Sequence, residues 1–110
     1  MTQGKQQVGS LGVGTPSNAL FGSDVMVDIL RALDIKYIAL NPGASYRGLH
    51  DSLVNYGSGG PEMLMCAHEE VAVGIANGYG RVTGKPMATG LHNVVGLQHA
   101  AMAIFNAWCD

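Results

Sequence analysis

The alternation of short apolar segments with helical patterns most constrains the fold of this chain. Three apolar segments, at residues 37–40, 63–66 and 87–91, are each followed by a helical pattern. Short apolar strands between helices are typical of a parallel sheet that helices cover on both faces. We therefore predict an α/β domain with a parallel sheet, helices on both faces and right-handed crossovers.

Four helices are predicted around these strands. The first is capped by Ser23, with Asp24 in its first turn. The second starts near Ser45, the third covers residues 69–82, and the fourth covers residues 97–108 after a loop at 92–96. The apolar positions at helical spacing are Met26, Ile29, Leu30 and Leu33 in the first helix, and Leu49, Leu53 and Val54, predicted to face inward, in the second.

The loops that follow the three strands are predicted to open on one edge of the sheet. They cover residues 41–44, 67–69 and 92–96. Because strands of a parallel sheet share a direction, these loops meet at their carboxyl ends, where open α/β sheets bind ligands. Glu69, His92 and the segment 41–45 are therefore predicted to form one site.

Glu69 is the predicted chemical centre of that site. It stands between an apolar strand and a helix rich in alanine and glycine, so its carboxylate is poorly solvated. Burial would raise the pKa of this carboxyl, and the helix dipole would lower it; the sequence leaves open which effect wins. The favourable interaction of a negative charge with the helix dipole is enough to explain an acidic residue at position 70.

The four histidines receive different interpretations. His92 follows a strand at the ligand edge, and both a structural and a functional role stay open for it. His50 is assigned to the surface, His68 to a strand end and His99 to a helix face. Because they form no pair at i, i+4 spacing, no histidine-based zinc site is expected.

Composition excludes several classes of protein. The chain has 110 residues, a net charge of -2 and six lysines and arginines, which argues against nucleic-acid binding. No apolar run approaches the ~20 residues of a membrane span. Residues 1–20 have no apolar signal segment and are predicted to be a flexible leader before a domain at 21–110. Cys66 and Cys109 are predicted to be buried free thiols in a reducing cytoplasm.

Two phosphate-binding motifs fail on inspection. Gly84-Lys85 is followed by Pro86 rather than serine or threonine, so it is not a P-loop. Gly78-Tyr79-Gly80 lacks the final glycine of the dinucleotide-binding pattern. A generic nucleotide-binding domain is therefore disfavoured. The helix at 97–108 has no following strand to cover it, so we expect an incomplete domain, either truncated or one half of a split protein.

Several short segments follow one another in an order that is typical of one enzyme group. They are Asn-Pro-Gly at 41–43, His-Glu at 68–69, Val-Gly-Ile-Ala-Asn-Gly-Tyr at 73–79, Thr-Gly-Lys-Pro at 83–86, Leu-His at 91–92 and Asn-Ala-Trp at 106–108. Over residues 22–110 the chain resembles the N-terminal, pyrimidine-binding domain of thiamine-diphosphate enzymes. This group includes acetolactate synthase and the 2-oxo-acid decarboxylases, among them benzoylformate decarboxylase, to which the segments are especially similar.

The resemblance implies roles for individual residues. Glu69 would hydrogen-bond N1′ of the aminopyrimidine, which favours the imino tautomer that deprotonates thiazolium C2. Cofactor binding is also implied for Asn41, Pro42 and Gly43. His92 matches a histidine of decarboxylases and is an expected proton relay. Substrate binding is implied for Ala44, Ser45 and His92. The group's substrate-contacting serine falls on Ala44, and the hydroxyl is here on Ser45, whose side chain should point elsewhere; this weighs against benzoylformate itself as substrate.

The resemblance also implies partners. Mg²⁺ and the diphosphate would be held by a separate domain of the same or another chain, so this chain alone should be inactive. A 2-oxo acid is the implied substrate, decarboxylation or carboligation the reaction, and a cytoplasmic homo-oligomer the assembly. The alternative is a non-catalytic partner or dimerisation module of the same fold. Its interface would be the small-residue helix at 69–82 and an apolar helix face at Ala100, Ile104, Phe105 and Trp108.

Overall fold

The computed structural model describes residues 18–56 and 59–110, and these form an α/β fold around a parallel sheet. The strands are β1 (Tyr37–Leu40), β2 (Glu62–Met65) and β3 (Ala88–Gly90). The helices are α1 (Gly22–Ala32), α2 (Arg47–Asn55), α3 (Glu69–Thr83), α4 (Asn93–His99) and α5 (Ala101–Cys109), with a 3-10 turn at Ala44–Tyr46. The predicted fold class is confirmed. Residues 1–17 of the predicted leader lie outside the described residues.

The sheet has the order β2-β1-β3, and both pairings are parallel. Ile38, Ala39 and Leu40 of the central strand are all buried. Because successive side chains of a strand point to opposite faces, this shows that both faces of β1 are covered. The apolar strand β2 is less buried than β1, with Met65 60% exposed, because β2 lies at the edge of the sheet.

Small residues let α3 lie close to the sheet. Ala72 of α3 forms a buried cluster with Ala39 and Cys66. Val73, one residue further on, packs with Ala100 and Ala103 and so joins α3 to α5. The helix ends at Gly84, whose φ of 69° lies in the left-handed region that glycine adopts without strain. The predicted third helix and its termination are thus confirmed.

The first helix differs from its prediction in its cap and its buried face. It begins after Phe21 rather than at Ser23, and Asp24 accepts hydrogen bonds from the backbone N–H groups of Leu20 and Phe21. Asp24 and Val27 are its buried residues. The predicted stripe stays about half exposed at Met26, Ile29 and Leu33.

A buried hydrogen bond accounts for the buried position of Asp24 and links α1 to α2. The Ser52 hydroxyl donates to Asp24 Oδ1 at 2.7 Å, which turns these two side chains toward each other. This bond is the main reason that the pKa of Asp24 is lowered. Val54 was predicted to face inward but is 61% exposed, because Ser52 occupies the inward face of α2.

The last helical segment begins earlier than predicted and is divided. Residues 93–96, predicted as loop, belong to α4, and the helix predicted at 97–108 is interrupted at Ala100. Gly96 makes the earlier start possible, since a Cβ there would lie 3.0 Å from the backbone carbon of Leu91. A helix so close to the end of β3 requires glycine at this position.

Two further predictions concern the cysteines and the membrane. Cys66 and Cys109 are both free, but only Cys66 is buried; Cys109 is exposed on α5, which corrects its prediction. Among the helices within 18–56 and 59–110, none combines the length and apolar character that crossing a bilayer requires.

Candidate functional site

The edge at the carboxyl ends of the strands gathers the predicted site residues. Glu69 is the first residue of α3, which follows β2, and His92 directly precedes α4, which follows β3. The segment 41–46 leaves the end of the central strand, β1. Parallel pairing places these three chain segments at the same edge of the sheet. As predicted, the structure therefore brings Glu69, His92 and the segment 41–46, which are distant in sequence, to one edge of the sheet.

Glu69 is a buried carboxylate held by groups from three elements. Its exposed fraction is 3%. Its Oε2 atom lies 3.3 Å from Nδ1 of His99, and the side-chain amide of Asn41 also hydrogen-bonds to it. These contacts join the start of α3 to the loop after β1 and to the last residue of α4.

The hydrogen bonds to Glu69 favour its charged form more strongly than burial disfavours it. A hydrogen bond from its own backbone N–H is the largest cause that lowers the pKa of Glu69. Burial raises this pKa, and the side chains of His99 and Asn41 lower it further. The pKa of Glu69 therefore lies below its usual value, and the carboxylate stays ionised at neutral pH.

Two glycines allow close contacts within the site. A Cβ at Gly96 would lie 3.0 Å from Oε1 of Glu69, so α4 can reach this carboxylate only without a side chain at that position. A Cβ at Gly43 would lie 2.8 Å from Cγ of the His92 ring. Gly43, predicted to bind cofactor, thus has a second role, which is to make room for His92.

His92 and Ser45 form a polar pair. The Ser45 hydroxyl and His92 Nδ1 share a hydrogen bond of 2.5 Å. The backbone turns sharply directly after His92, since Asn93 has a φ of 46°. The Ser45 side chain was expected to point in a different direction from the serine of the enzyme group; in the structure its hydroxyl reaches His92. Pro42 and Ala44 are exposed on the same loop.

Tyr46 is a site residue that sequence reasoning missed. Its ring meets the ring of His92 edge to face, with 6.3 Å between the centroids. Its hydroxyl oxygen is buried and has no hydrogen-bond partner among the described residues. Burial raises the pKa of Tyr46, and the charge of Glu69 raises it further. The only sequence signal was its position beside Ser45, because a sequence does not reveal side-chain direction in a short turn.

His68 and His99 were also missed, since each had been given an ordinary structural role. Their rings stack, with 4.7 Å between centroids and 22° between planes. Donor atoms of His68, Glu69 and His99 lie within 4.8 Å of one another, a spacing that a metal ion could bridge if the rings turned. Near-parallel rings do not aim their nitrogen lone pairs at one point, so the observed geometry is that of a stacked pair.

A cavity of about 420 Å³ lies elsewhere, along the second half of α3. Its lining includes Arg81 and Asp110, which form an ion pair of 2.9 Å, and none of the predicted site residues. The candidate site at the strand ends is identified by its chemistry, namely a buried carboxylate, two histidines that contact polar partners and an unpartnered hydroxyl.

Comparison with protein families agrees with this geometry. The family described as "Thiamine pyrophosphate enzyme, N-terminal TPP binding domain" matches residues 21–110, which is most of the chain. The chain belongs to the thiamine pyrophosphate enzyme family. Thiamine pyrophosphate is another name for thiamine diphosphate, so the family resemblance noted in the sequence is confirmed.

Curated relatives of this thiamine pyrophosphate enzyme domain are acetolactate synthases. It is 31% identical over 91 residues to the acetolactate synthase large subunit of Haemophilus influenzae, covering 83% of this chain and 16% of that protein. It is 38% identical over 64 residues to the acetolactate synthase isozyme 2 large subunit of Escherichia coli, covering 58% of this chain and 11% of that protein. The chain thus spans less than a fifth of the length of these relatives. No solved structure gives a significant match.

The residues present fit the pyrimidine part of thiamine diphosphate. An aminopyrimidine carries ring nitrogens and an amino group, which need hydrogen-bonding partners in a largely apolar surrounding. Glu69 offers a buried carboxylate, and the Tyr46 hydroxyl is a buried polar atom without a partner among the described residues. The site carries no lysine or arginine among the residues named above, so it suits the uncharged ring rather than the diphosphate.

The lowered pKa of Glu69 predicts a pH dependence of stability. Because the folded pKa lies below the usual value of about 4.5, the carboxylate stabilises the fold above that value. This contribution is lost as the pH falls through the folded pKa. In Glu69→Gln, the free energy of unfolding should depend less on pH on the acid side. Denaturant unfolding from about pH 7 to about pH 3 measures it.

The matched control is Glu70→Gln, which changes the exposed neighbour in the same helical turn. It should keep the pH dependence of the unaltered protein. Equal acid-side slopes for Glu69→Gln and the unaltered protein would contradict the assignment of an ionised, stabilising carboxylate at Glu69.

Proposed function

We propose that this chain is the pyrimidine-binding part of a thiamine-diphosphate-dependent 2-oxo-acid decarboxylase or carboligase. In this proposal Glu69 supplies the carboxylate that activates the cofactor. The observation that carries the proposal is the burial of an ionised carboxylate at the ligand edge of a thiamine pyrophosphate enzyme domain.

Glu69 acts as a hydrogen-bonding partner of N1′ in the pyrimidine ring. Its carboxylate is held by a backbone N–H, by Asn41 and by His99, so it has little freedom to turn away from the ligand. In a poorly solvated site, a fixed acid–base group exchanges a proton with a ligand atom without reorganising water. Bound thiamine diphosphate supplies the reactive thiazolium carbon and the electron sink for loss of CO₂.

His92 and Ser45 are proposed to face the substrate. Their hydrogen bond lies on the loop next to the predicted cofactor-binding residues Asn41, Pro42 and Gly43. An imidazole paired with a hydroxyl can pass a proton to or from a 2-oxo acid or its product, and Ala44 leaves room beside it. Decarboxylation and carboligation both remain within the proposal; the curated relatives are named acetolactate synthases, which favours carboligation.

Mg²⁺ and the diphosphate are assigned to a domain outside this chain. The proposed site carries groups that suit an aminopyrimidine, and the chain covers 16% of its relative from Haemophilus influenzae. The domain is therefore proposed to be inactive alone and to act with a diphosphate-binding domain of the same or another chain, in a homo-oligomer located in the cytoplasm.

A non-catalytic partner module is the second candidate. The observation in its favour is the exposed apolar surface of α5, where Phe105 is 57% and Trp108 is 88% exposed. Titration of thiamine diphosphate and Mg²⁺ into the native polypeptide and its partners separates the two candidates. Saturable binding that depends on Glu69 supports the enzyme, and unchanged stability at saturating cofactor supports the module.

Replacing Glu69 should slow activation of the cofactor. In the native polypeptide that carries this chain, Glu69→Gln should slow C2–H exchange of bound thiamine diphosphate about 100-fold, because Gln cannot accept or return a proton. Exchange of this hydrogen for deuterium, followed by NMR, measures it directly. Glu70→Gln is the control and should exchange as the unaltered protein does; a Glu69→Gln variant that exchanges as fast would contradict the proposal.

The unpartnered hydroxyl of Tyr46 yields a second prediction. In Tyr46→Phe, cofactor affinity should fall about 5-fold or more, because a hydrogen bond to the ligand is lost. The cofactor-free protein should not lose stability, since a buried hydroxyl without a partner is removed. Calorimetric titration and thermal unfolding measure the two quantities, with Tyr37→Phe as control. Unchanged affinity with lowered stability would show that the hydroxyl serves the fold instead.

A further inference from the structure

The contact of His99 with Glu69 joins a buried acid to an exposed ring. The Glu69 side chain is 4% exposed, whereas the His99 side chain is 49% exposed. Nδ1 of His99 lies 3.3 Å from Oε2 of Glu69. A buried carboxylate that gains and loses a proton needs a route to solvent. The His99 ring contacts the carboxylate on one side and solvent on the other.

Gly96 lets the turn of α4 that carries His99 come close to Glu69. Gly96 and His99 are three apart and so lie on the same face of the helix. Gly96 rests against Oε1 of Glu69, and His99 lies against Oε2. The same helical turn therefore contacts both oxygens of the carboxylate, one through a close backbone approach and the other through a ring nitrogen that can carry a proton.

The ring of His68 supports the ring of His99. The Nδ1 atom of His68 accepts a hydrogen bond from the backbone N–H of Glu70, so this nitrogen carries no proton. The ring of His99 stacks on it at 4.7 Å. The His99 ring thus packs on a second ring whose position is held by a backbone hydrogen bond.

The titratable groups around the contact lie on two segments besides α4, which carries His99. His68 and Glu70 belong to the start of α3, Tyr46 belongs to the 3-10 turn, and the charge of Glu69 acts on Tyr46. Since Tyr46 has a raised pKa, it is neutral across the pH range in which a histidine and a carboxyl exchange protons.

We propose that His99 is a positioning residue that holds the Glu69 carboxylate and exchanges protons between it and solvent. The proposal rests on the proposed function, in which Glu69 trades a proton with N1′. In the step toward Glu69, the Nδ1–H bond of His99 breaks and an O–H bond forms at Oε2, while a solvent acid protonates Nε2. The reverse step returns the proton, so no net charge accumulates.

The first test uses the cofactor-free native polypeptide that carries this chain. Its carboxyl groups are labelled with ¹³C, and the titration of Glu69 is followed by NMR. His99→Ala should raise the pKa of Glu69, because a hydrogen bond to the charged form is lost. His50→Ala, which changes a histidine on α2, should leave it unchanged. An unchanged Glu69 titration in His99→Ala overturns the proposal.

The second test separates holding the carboxylate from moving a proton. His99→Asn keeps a side-chain donor but cannot carry a proton, so C2–H exchange of bound thiamine diphosphate should slow about 10-fold while cofactor affinity changes little. His99→Ala should slow it as well, and added imidazole should restore the rate. Unimpaired exchange in His99→Asn, or no rescue by imidazole, overturns proton exchange through His99.

These readouts also distinguish this proposal from the proposed function. If the unaltered protein exchanges C2–H no faster than free thiamine diphosphate, the proposed function fails. The titration of the cofactor-free protein then decides by itself whether His99 acts on Glu69.

Discussion

One buried carboxylate, that of Glu69, ties the strand–helix units of this domain together. Asn41 reaches it from the loop after β1, and His99 and Gly96 reach it from α4 after β3. Glu69 itself begins α3 after β2. The segments that follow all three strands thus meet at the Glu69 carboxylate. Packing at this edge of the sheet therefore depends on the size and charge of that side chain.

The charge at Glu69 persists because stabilising groups outweigh burial. The first N–H groups of a helix have no partners within the helix, and they favour a negative charge placed there. At Glu69 the bond from its own backbone N–H is the largest of the causes that lower its pKa, and the side chains of His99 and Asn41 add to it. A site that keeps an acid ionised while excluding water suits exchange of a proton with a bound base.

The general layout could be predicted from the sequence, and the details of contact could not. Apolar strands between helices indicated a parallel sheet, and its direction alone brought Glu69 and His92 to one edge. His99 was assigned to a helix face, but its contact was missed because residues 93–96 were predicted as a loop, which left the start and orientation of α4 undefined. Ser45 and Tyr46 depend on a 3-10 turn whose side-chain directions have no signature in composition or spacing. The Ser52–Asp24 bond, which places two polar side chains in the interior between α1 and α2, likewise had no signature in the apolar pattern.

The most direct test of the central claim is a crystal structure of the native polypeptide that carries this chain, with thiamine diphosphate and Mg²⁺ bound. We expect a carboxylate oxygen of Glu69 within hydrogen-bond reach of N1′, at about 2.6–3.2 Å, and His99 still in contact with the carboxylate. A pyrimidine bound elsewhere, or one at this edge whose N1′ is held by another residue, would contradict the account.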